Sequence, residues 1–219
     1  TIQWSLAARN MSGGRALSGA MPMMRLDGGG IWTATLGDVQ VSRADHVRVW
    51  HALQARLDGG ATPVILSNRM AYTGPYGTST DPLETTASDD VAASDEATFV
   101  TPPIVATLAE AADLRATTLT IAFVSGAALR GGEYLSIEHN TYSHRMYQVA
   151  AVSIDDDGNS VVTIRPPLRE ATDAGTPVEF DAPCCVMQLA DPSAMELTLA
   201  RRIFGQATVK FLESFPPWS

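Results

Sequence analysis

Residues 146–167, MYQVAAVSIDDDGNSVVTIRPP, carry the strongest fold signal in the chain. Residues 146–152 and 161–164 are rich in β-branched and aromatic side chains, which predicts two strands. Between them, residues 155–159 combine aspartates with a glycine and an asparagine, which is the chemistry of a tight hairpin turn. The prolines at 166–167 then end the second strand, because proline has no backbone N–H to donate to the ladder.

Further short strands are predicted on both sides of this hairpin. Residues 119–124, 134–137 and 177–180 are mainly apolar or aromatic and are separated by turn-forming stretches. Short strands at this spacing are typical of a small barrel or sandwich. We therefore expect residues 104–183 to form a compact β domain.

The N-terminal part of the chain predicts strands and one helix. Residues 31–36 predict a strand, and the apolar spacing over 43–57 predicts an amphipathic helix with Ser42 as its N-cap. The glycines at 59–60 are expected to end that helix in the left-handed conformation. Residues 63–66 then predict a short buried strand.

The C-terminal part predicts long strands that must pack against the N-terminal part. Residues 185–189 predict one strand, and the alternation over 195–213 predicts a hairpin with its turn at 204–206. A hairpin with one apolar face is not stable alone. We therefore predict a mainly β fold with one flanking helix, in which 1–72 and 184–219 form one discontinuous domain around the inserted, barrel-like β domain.

Residues 73–103 predict an acidic, flexible loop or arm. The stretch is rich in threonine, serine, glycine and proline, and all of its charged residues are acidic. Two interpretations stay open, a solvated surface loop and an arm that becomes ordered against a neighbouring subunit. Asp89 and Asp90 are candidate interface residues within it.

Composition and charge exclude several classes of protein. The chain has 219 residues, of which 45% are hydrophobic, and a formal net charge of −9, which argues against sequence-independent binding to the outside of DNA. It has no apolar run of the ~18 residues that a membrane span needs. The first residues do not resemble a signal peptide, so we expect synthesis in a cytoplasm. Cys184 and Cys185 are adjacent and are expected to be unpaired thiols.

The sequence offers no recognisable catalytic, cofactor or metal site. His46 and His51 are five residues apart on the predicted helix and so lie on different faces. His139 and His144 flank a turn, where an opposed pair is conceivable, but no third ligand joins them at a recognisable spacing. Nucleophile and phosphate-loop patterns are also absent from the sequence. We therefore expect no enzymatic activity, no metal and no cofactor.

Residues 129–189 resemble a known family. The resemblance is carried by LRGGEYLSI at 129–137, DDDGNSVVTIRPPLR at 155–169, GTPV at 175–178 and VMQLA at 186–190. This order is similar to that of the distal tail proteins of bacteriophages with long non-contractile tails, although Glu133 stands where that family often has aspartate. The flanking strand, helix and closing hairpin agree with the same family.

The resemblance implies a structural role in a virion. It implies a ring, usually a hexamer, which docks the tail tube protein on one side and the hub or baseplate protein on the other, with the tape measure protein as a further partner. DNA would pass through the channel without specific binding. If such a ring forms, Pro216, Pro217 and Trp218 are candidate interface residues, because a tryptophan after two prolines is costly to leave in water.

Three alternative functions differ in what they need. A carbohydrate-binding or receptor-binding β module would need exposed aromatic residues, for which Tyr134, Tyr142 and Tyr147 are available. Another ring protein of the same particle, such as a tail-tube or joining protein, would stack into long tubes. An enzyme of the tail tip would need catalytic residues, which the sequence does not offer.

Overall fold

The chain divides into two compact units, one of them discontinuous. The computed structural model describes residues 2–7, 10–15, 17–19, 21, 23–25, 29–68, 74–75, 85–86, 98–99, 104–197, 199 and 205–216. Unit 1 comprises Thr1–Leu66 and Cys185–Ser219, and unit 2 comprises Ser67–Cys184. The chain passes from unit 1 to unit 2 after Leu66, whereas residue 72 was the expected boundary, and it returns to unit 1 after Cys184.

The described residues form one α-helix and fifteen strands, so the mainly β prediction is confirmed. The elements of the N-terminal part are β1 (Ile2–Ala7), β2 (Asn10–Ser12), β3 (Met23–Arg25), β4 (Ile31–Val41), α1 (Ala44–Leu57) and β5 (Val64–Ser67). Unit 2 contains β6 (Thr85–Thr86), β7 (Thr98–Phe99), β8 (Val105–Leu108), β9 (Thr118–Ser125), β10 (Tyr134–His139), β11 (Ser143–Ile154), β12 (Ser160–Arg165) and β13 (Pro177–Val178). The chain then forms β14 (Cys184–Leu189) and β15 (Gly205–Glu213).

Unit 1 is built on a five-stranded sheet with the order β1-β4-β15-β14-β5. Trp32 and Ala34 of β4 are buried, as the alternation of that strand predicts. The strand continues beyond the predicted 31–36, and Val41 at its end is buried as well. The ring of Trp4 packs edge-to-face on Trp32 with centroids 6.4 Å apart, which fixes β1 on the sheet.

Helix α1 begins one residue later than the predicted 43–57 and ends at Leu57 as predicted, but its caps differ from those expected. Its N-cap is Arg43, which makes no side-chain capping hydrogen bond, so the prediction of Ser42 as cap is wrong. At the other end Asp58, with φ of 43°, takes the left-handed position that was predicted for the glycines at 59–60. Asparagine and aspartate tolerate this conformation because their short side chains can hydrogen-bond locally. The Nε1 of Trp50 donates to the Met195 carbonyl at 2.8 Å and ties the helix to the C-terminal part of the unit.

The C-terminal part differs from the predicted hairpin over 195–213. Residues 191–195 form turns, in which the Asp191 carboxylate accepts from the Ser193 N–H at 2.8 Å and from its hydroxyl at 2.7 Å. This local hydrogen bonding outweighs the polarity alternation that predicted a strand at Met195. β15 begins at Gly205 and pairs antiparallel with β14, so that Met187 lies opposite Glu213.

Unit 2 is a nearly closed barrel, as predicted for the inserted domain. Its six-stranded sheet has the order β10-β11-β12-β9-β8-β13. Ser136 and Glu179 bring the two ends of this sheet together, because each backbone N–H donates to the other residue's carbonyl at 2.9 Å. The barrel encloses the main hydrophobic cluster of the unit, whose largest members are Leu108, Ile121, Leu135, Ile137, Tyr147, Ile164, Leu168 and Phe180.

The predicted β-hairpin at 155–159 is confirmed. β11 and β12 pair antiparallel from Gln148↔Arg165 to Ile154↔Ser160. Oδ1 of Asp155 accepts from the backbone N–H groups of Asp157 at 3.0 Å and Asn159 at 2.7 Å. These bonds fold the turn on itself, as expected of an aspartate at this position.

Two smaller expectations need correction or qualification. The predicted buried strand at 63–66 is β5, but Ile65 is 53% exposed because β5 lies at one end of its sheet. Neither cysteine forms a disulfide, as expected, and Cys184 is only half-buried whereas Cys185 is fully buried. Among the described residues no helix combines the length and the apolar character needed to cross a membrane.

Candidate functional site

The interface residues predicted from the sequence lie mostly outside the described residues. Pro216 follows β15 and is half-buried. Pro217, Trp218, Asp89 and Asp90 fall outside the described ranges. Their role at an interface therefore stays a prediction, and the described surfaces have to be considered separately.

One end of the unit 1 sheet is an open strand edge. Within the described part of the chain, β1 pairs with β4 on one side and is the terminal strand of the sheet. Gln3, Ser5 and Ala7 are exposed along β1, while Trp4 is buried and holds the strand in place. A terminal strand presents a row of backbone N–H and C=O groups on its outer side. Such a row can pair with a strand of another chain.

The outer face of helix α1 is a second candidate surface. The apolar stripe predicted from the sequence includes Leu53, but in the structure that side chain is 40% exposed. Trp50 and Leu57 are the buried members of the stripe. Val49 is 67% exposed and lies four residues before Leu53, so the two neighbour each other on the solvent side. The sequence did not reveal this surface, because Leu53 lies at helical spacing both from the buried Trp50 and Leu57 and from the exposed Val49.

The histidines do not assemble into a metal site among the described residues. His46 and His51 are exposed on α1. In the β10–β11 ladder His144 lies opposite Glu138, with 3.8 Å between Nε2 and Oε1. His139 lies opposite a serine, so the opposed histidine pair considered from the sequence does not form. No group of three histidine, cysteine, aspartate or glutamate side chains in the described ranges could hold a metal ion.

His139 belongs instead to a buried polar network in unit 2. Its Nε2 lies 2.8 Å from the hydroxyl of Tyr147, which also accepts the backbone N–H of Arg169 at 3.0 Å. Which of these two atoms donates depends on the histidine tautomer, and the buried Nδ1 of His139 has no hydrogen-bond partner within the described part of the chain. The pKa of His139 is lowered to about 4, mainly by burial. The Glu170 carboxylate raises this pKa and the Arg145 guanidinium lowers it, both to a smaller extent.

Contacts of the same network also fix the loop between β10 and β11. The Glu170 carboxylate accepts from the hydroxyl of Thr141 at 2.8 Å, from its backbone N–H at 2.9 Å, and from the N–H of Tyr142 at 3.1 Å. Burial pushes the pKa of Glu170 upward, but these hydrogen bonds bring it below the ordinary value. The buried Arg145 donates its Nε to the Tyr142 carbonyl at 2.8 Å. These contacts hold the loop, which makes the network a structural one.

The acidic position of the resembled LRGGEYLSI segment also has a structural role. The Glu133 carboxylate accepts from the backbone N–H of Arg130 at 2.6 Å and of Gly131 at 2.7 Å. Gly131 and Gly132 have φ values of 92° and 100°, which L side chains rarely adopt. The glycines and the acid therefore act together to form the turn before β10. The glutamate suits this position because its two carboxylate oxygens each accept one of these N–H groups.

A shallow groove on unit 2 does not match the predicted carbohydrate platform. The groove has a volume of about 380 Å³. Its lining, as far as the described residues show it, includes Glu110, Arg115 and Thr118 and contains no aromatic side chain. Tyr147, one of the three tyrosines considered for carbohydrate binding, is fully buried in the barrel. Tyr134 and Tyr142 are half-buried outside the groove. The stacking surface that a sugar ring would need is therefore not formed by this groove.

Comparison with known proteins adds no assignment. No protein-family model matches the chain, and no curated protein matches it either. The resemblance to distal tail proteins therefore depends on the residues of 129–190 quoted above.

Proposed function

We propose that the chain is a structural subunit of a bacteriophage tail tip, a distal tail protein that forms a ring between the tail tube and the hub. In this proposal unit 1 makes the contacts within the ring, and unit 2 is an appended β-barrel. The tail tube, hub or baseplate, and tape measure proteins are the proposed partners, and the site of action is the virion. The residue pattern of 129–190 and the discontinuous β architecture support this proposal.

The observation that carries the proposal is the pair of sheet ends in unit 1. β1 ends the five-stranded sheet on one side and β5 ends it on the other, within the described residues. A ring of identical subunits needs two different, complementary surfaces on each copy, related by a rotation that closes. Two open strand edges of one sheet meet this requirement, because each can pair with the opposite edge of a neighbour.

Charge and surface composition agree with the proposed ring. The net charge of −9 opposes binding of phosphate groups, so a channel formed by such subunits would let DNA slide without adhering. The exposed Val49 and Leu53 of α1 provide an apolar surface for contact with the tube or the hub.

Molar mass in solution and electron microscopy test the proposal. We expect light scattering to give a mass near six times 23.3 kDa, and negative-stain images to show a closed ring with a central hole. Open-ended tubes would indicate a tail-tube protein instead. A monomer over the whole accessible concentration range would contradict self-assembly through the sheet edges.

A variant of the β1 edge tests the contact itself. Gln3→Lys with Ser5→Lys places two charges along the exposed side of β1, and charged edges resist strand pairing. We expect this double variant to lose the ring while its far-UV circular dichroism stays unchanged. Thr118→Lys, an exposed position of unit 2, is the matched control and should assemble normally. Rings in the double variant would show that subunits join through another surface.

A further inference from the structure

Helix α1 is buried along a narrow stripe only. Of its 14 residues, Trp50 and Leu57 are the buried ones. Outside this stripe Val49 is 67% exposed and Leu53 is 40% exposed, and Ala52 beside them is exposed as well. The described part of the chain therefore leaves three apolar side chains in contact with water at the middle of the helix.

A charged residue lies at each end of this apolar patch, and the two charges have opposite sign. Asp45 lies in the first turn of α1 and Arg56 in the last turn, and both are exposed. Each lies four residues from a member of the patch, Asp45 from Val49 and Arg56 from Ala52, so they share its side of the helix. These two charged residues and the three apolar ones are called the α1 face below.

The α1 face is complementary to itself when it is reversed. In two antiparallel helices related by a two-fold axis, Asp45 of each copy can lie at the level of Arg56 of the other. Val49 then lies at the level of Ala52 of the other copy. Positions 45 and 56 are about one and two helical turns from Val49 and lie on the same side of it, so the opposite charges meet. Antiparallel helices also place the positive end of one helix dipole beside the negative end of the other.

The charges of the α1 face favour a second copy as the partner. The face holds one acid and one base, so two copies can meet there without net repulsion although each chain carries a net charge of −9. Nη1 of Arg48 donates to Oδ1 of Asp45 at 3.3 Å, and these side chains are 80% and 83% exposed. An ion pair this exposed contributes little to stability. A carboxylate also has two oxygens, so Asp45 can accept from the arginine of a second copy as well.

We propose that two copies of the chain pair through their α1 faces, with the helices antiparallel. The Asp45 carboxylate of each copy pairs with the Arg56 guanidinium of the other. Val49, Ala52 and Leu53 become buried between the two helices. The pairing does not depend on the proposed ring, and where that ring forms it joins two rings face to face. In the free protein a second copy thus covers the surface that the ring offers to the tube or the hub.

Sedimentation velocity over a concentration series tests the pairing. One helix pair is a small interface, so we expect a reversible dimer of modest affinity, or double rings near twelve times 23.3 kDa. Val49→Lys places a charge in the centre of the contact and should raise the dissociation constant at least tenfold. His51→Gln, on another side of α1, and Val124→Ser, in unit 2, are exposed controls and should change it less than about twofold.

The result for the wild-type chain separates this inference from the proposed ring. Single rings at every accessible concentration would overturn the pairing and leave the ring intact. Dimers that lose affinity with Val49→Lys would support the pairing and contradict the ring. A chain that stays monomeric throughout the series would refute both.

Exchange of the two charges tests the antiparallel arrangement. Asp45→Arg and Arg56→Asp each set like charges opposite one another at both ends of the contact, and each should weaken pairing about tenfold. A 1:1 mixture of the two variants restores opposite charges at both ends and should pair at close to the wild-type concentration. A chain that carries both substitutions should again pair with itself. Failure of both restorations would refute the antiparallel contact. Far-UV circular dichroism checks that α1 is intact in each variant, because both charges also favour the helix through its dipole.

Discussion

Tyr147→Phe removes one oxygen atom from the interior of unit 2 and leaves the shape of the side chain unchanged. The hydroxyl of Tyr147 lies 2.8 Å from Nε2 of His139 and 3.0 Å from the backbone nitrogen of Arg169. The side chain is fully buried, so water cannot replace the missing partner without entering the barrel. The substitution therefore removes the hydrogen bonds that the hydroxyl makes with Nε2 of His139 and with the N–H of Arg169.

The expected loss of stability follows from these two groups. A buried donor or acceptor without a partner costs about 1–3 kcal/mol, and the phenylalanine ring creates no cavity beyond the hydroxyl. The Arg169 N–H is only partly buried, which places its cost near the lower end of that range. We expect the free energy of unfolding of unit 2 to fall by about 2–4 kcal/mol.

The distribution of aromatic residues provides a selective assay. All four tryptophans lie in the ranges of unit 1, and all five tyrosines lie in the range of unit 2. Urea unfolding is therefore followed by tyrosine absorbance for unit 2 and by tryptophan fluorescence, excited at 295 nm, for unit 1. Only the tyrosine transition should shift. Ser153→Ala removes an exposed hydroxyl from the same strand and should change stability by less than about 0.5 kcal/mol. A Tyr147→Phe shift as small as that of the control would refute the structural role of the network.

Three further predictions concern pH, a turn and the helix. The pKa of His139 is about 4 in the folded chain and 6.5 in the unfolded chain. As the pH falls, the histidine is therefore protonated in the unfolded state before it is protonated in the folded state. The free energy of unfolding of unit 2 should therefore fall by about 2–3 kcal/mol as the pH drops from 6.5 to 4, and His139→Gln should flatten that part of a pH series of urea titrations. Glu133→Ala removes the acceptor of two N–H groups at 130–131 and should cost about 2 kcal/mol in the tyrosine-detected transition, whereas Glu133→Gln should cost less. Trp50→Phe removes the hydrogen bond to Met195 and should destabilise unit 1 by about 1–3 kcal/mol, as measured by circular dichroism, with unit 2 unchanged.

Local chemistry explains which parts of the fold could be predicted from the sequence. The hairpin turn at 155–159 was predictable because Asp155 makes its hydrogen bonds to residues two and four positions away. The buried face of β4 was predictable because Trp32 and Ala34 alternate with polar neighbours. In both cases the residues that form the structure lie close together in the chain, so their pattern is visible in the sequence.

Long-range contacts explain what could not be predicted. The polar network of unit 2 joins Thr141 to Glu170, which lie far apart in the sequence and meet only after the barrel has formed. The barrel closure through Ser136 and Glu179 also depends on the complete sheet. The prediction of a strand at Met195 was wrong because of a local signal. The nearby aspartate and serine favour a turn more strongly than the alternation of apolar and polar residues favours a strand. Of the candidate interface residues, only Pro216 lies within the described structure, so their assignment stays a prediction.

The position of unit 2 in the chain has a consequence for how such proteins can diversify. β5 and β14 are neighbours in the unit 1 sheet, and the chain leaves at the end of one and returns at the start of the other. Just beyond them the backbone N–H of Asn68 donates to the Pro183 carbonyl at 2.7 Å, so the outgoing and returning chains lie side by side. Unit 2 thus occupies the place of a loop between adjacent strands. Recombination at this point could exchange one appended module for another, of different size or specificity, while the sheet that carries it keeps its sequence.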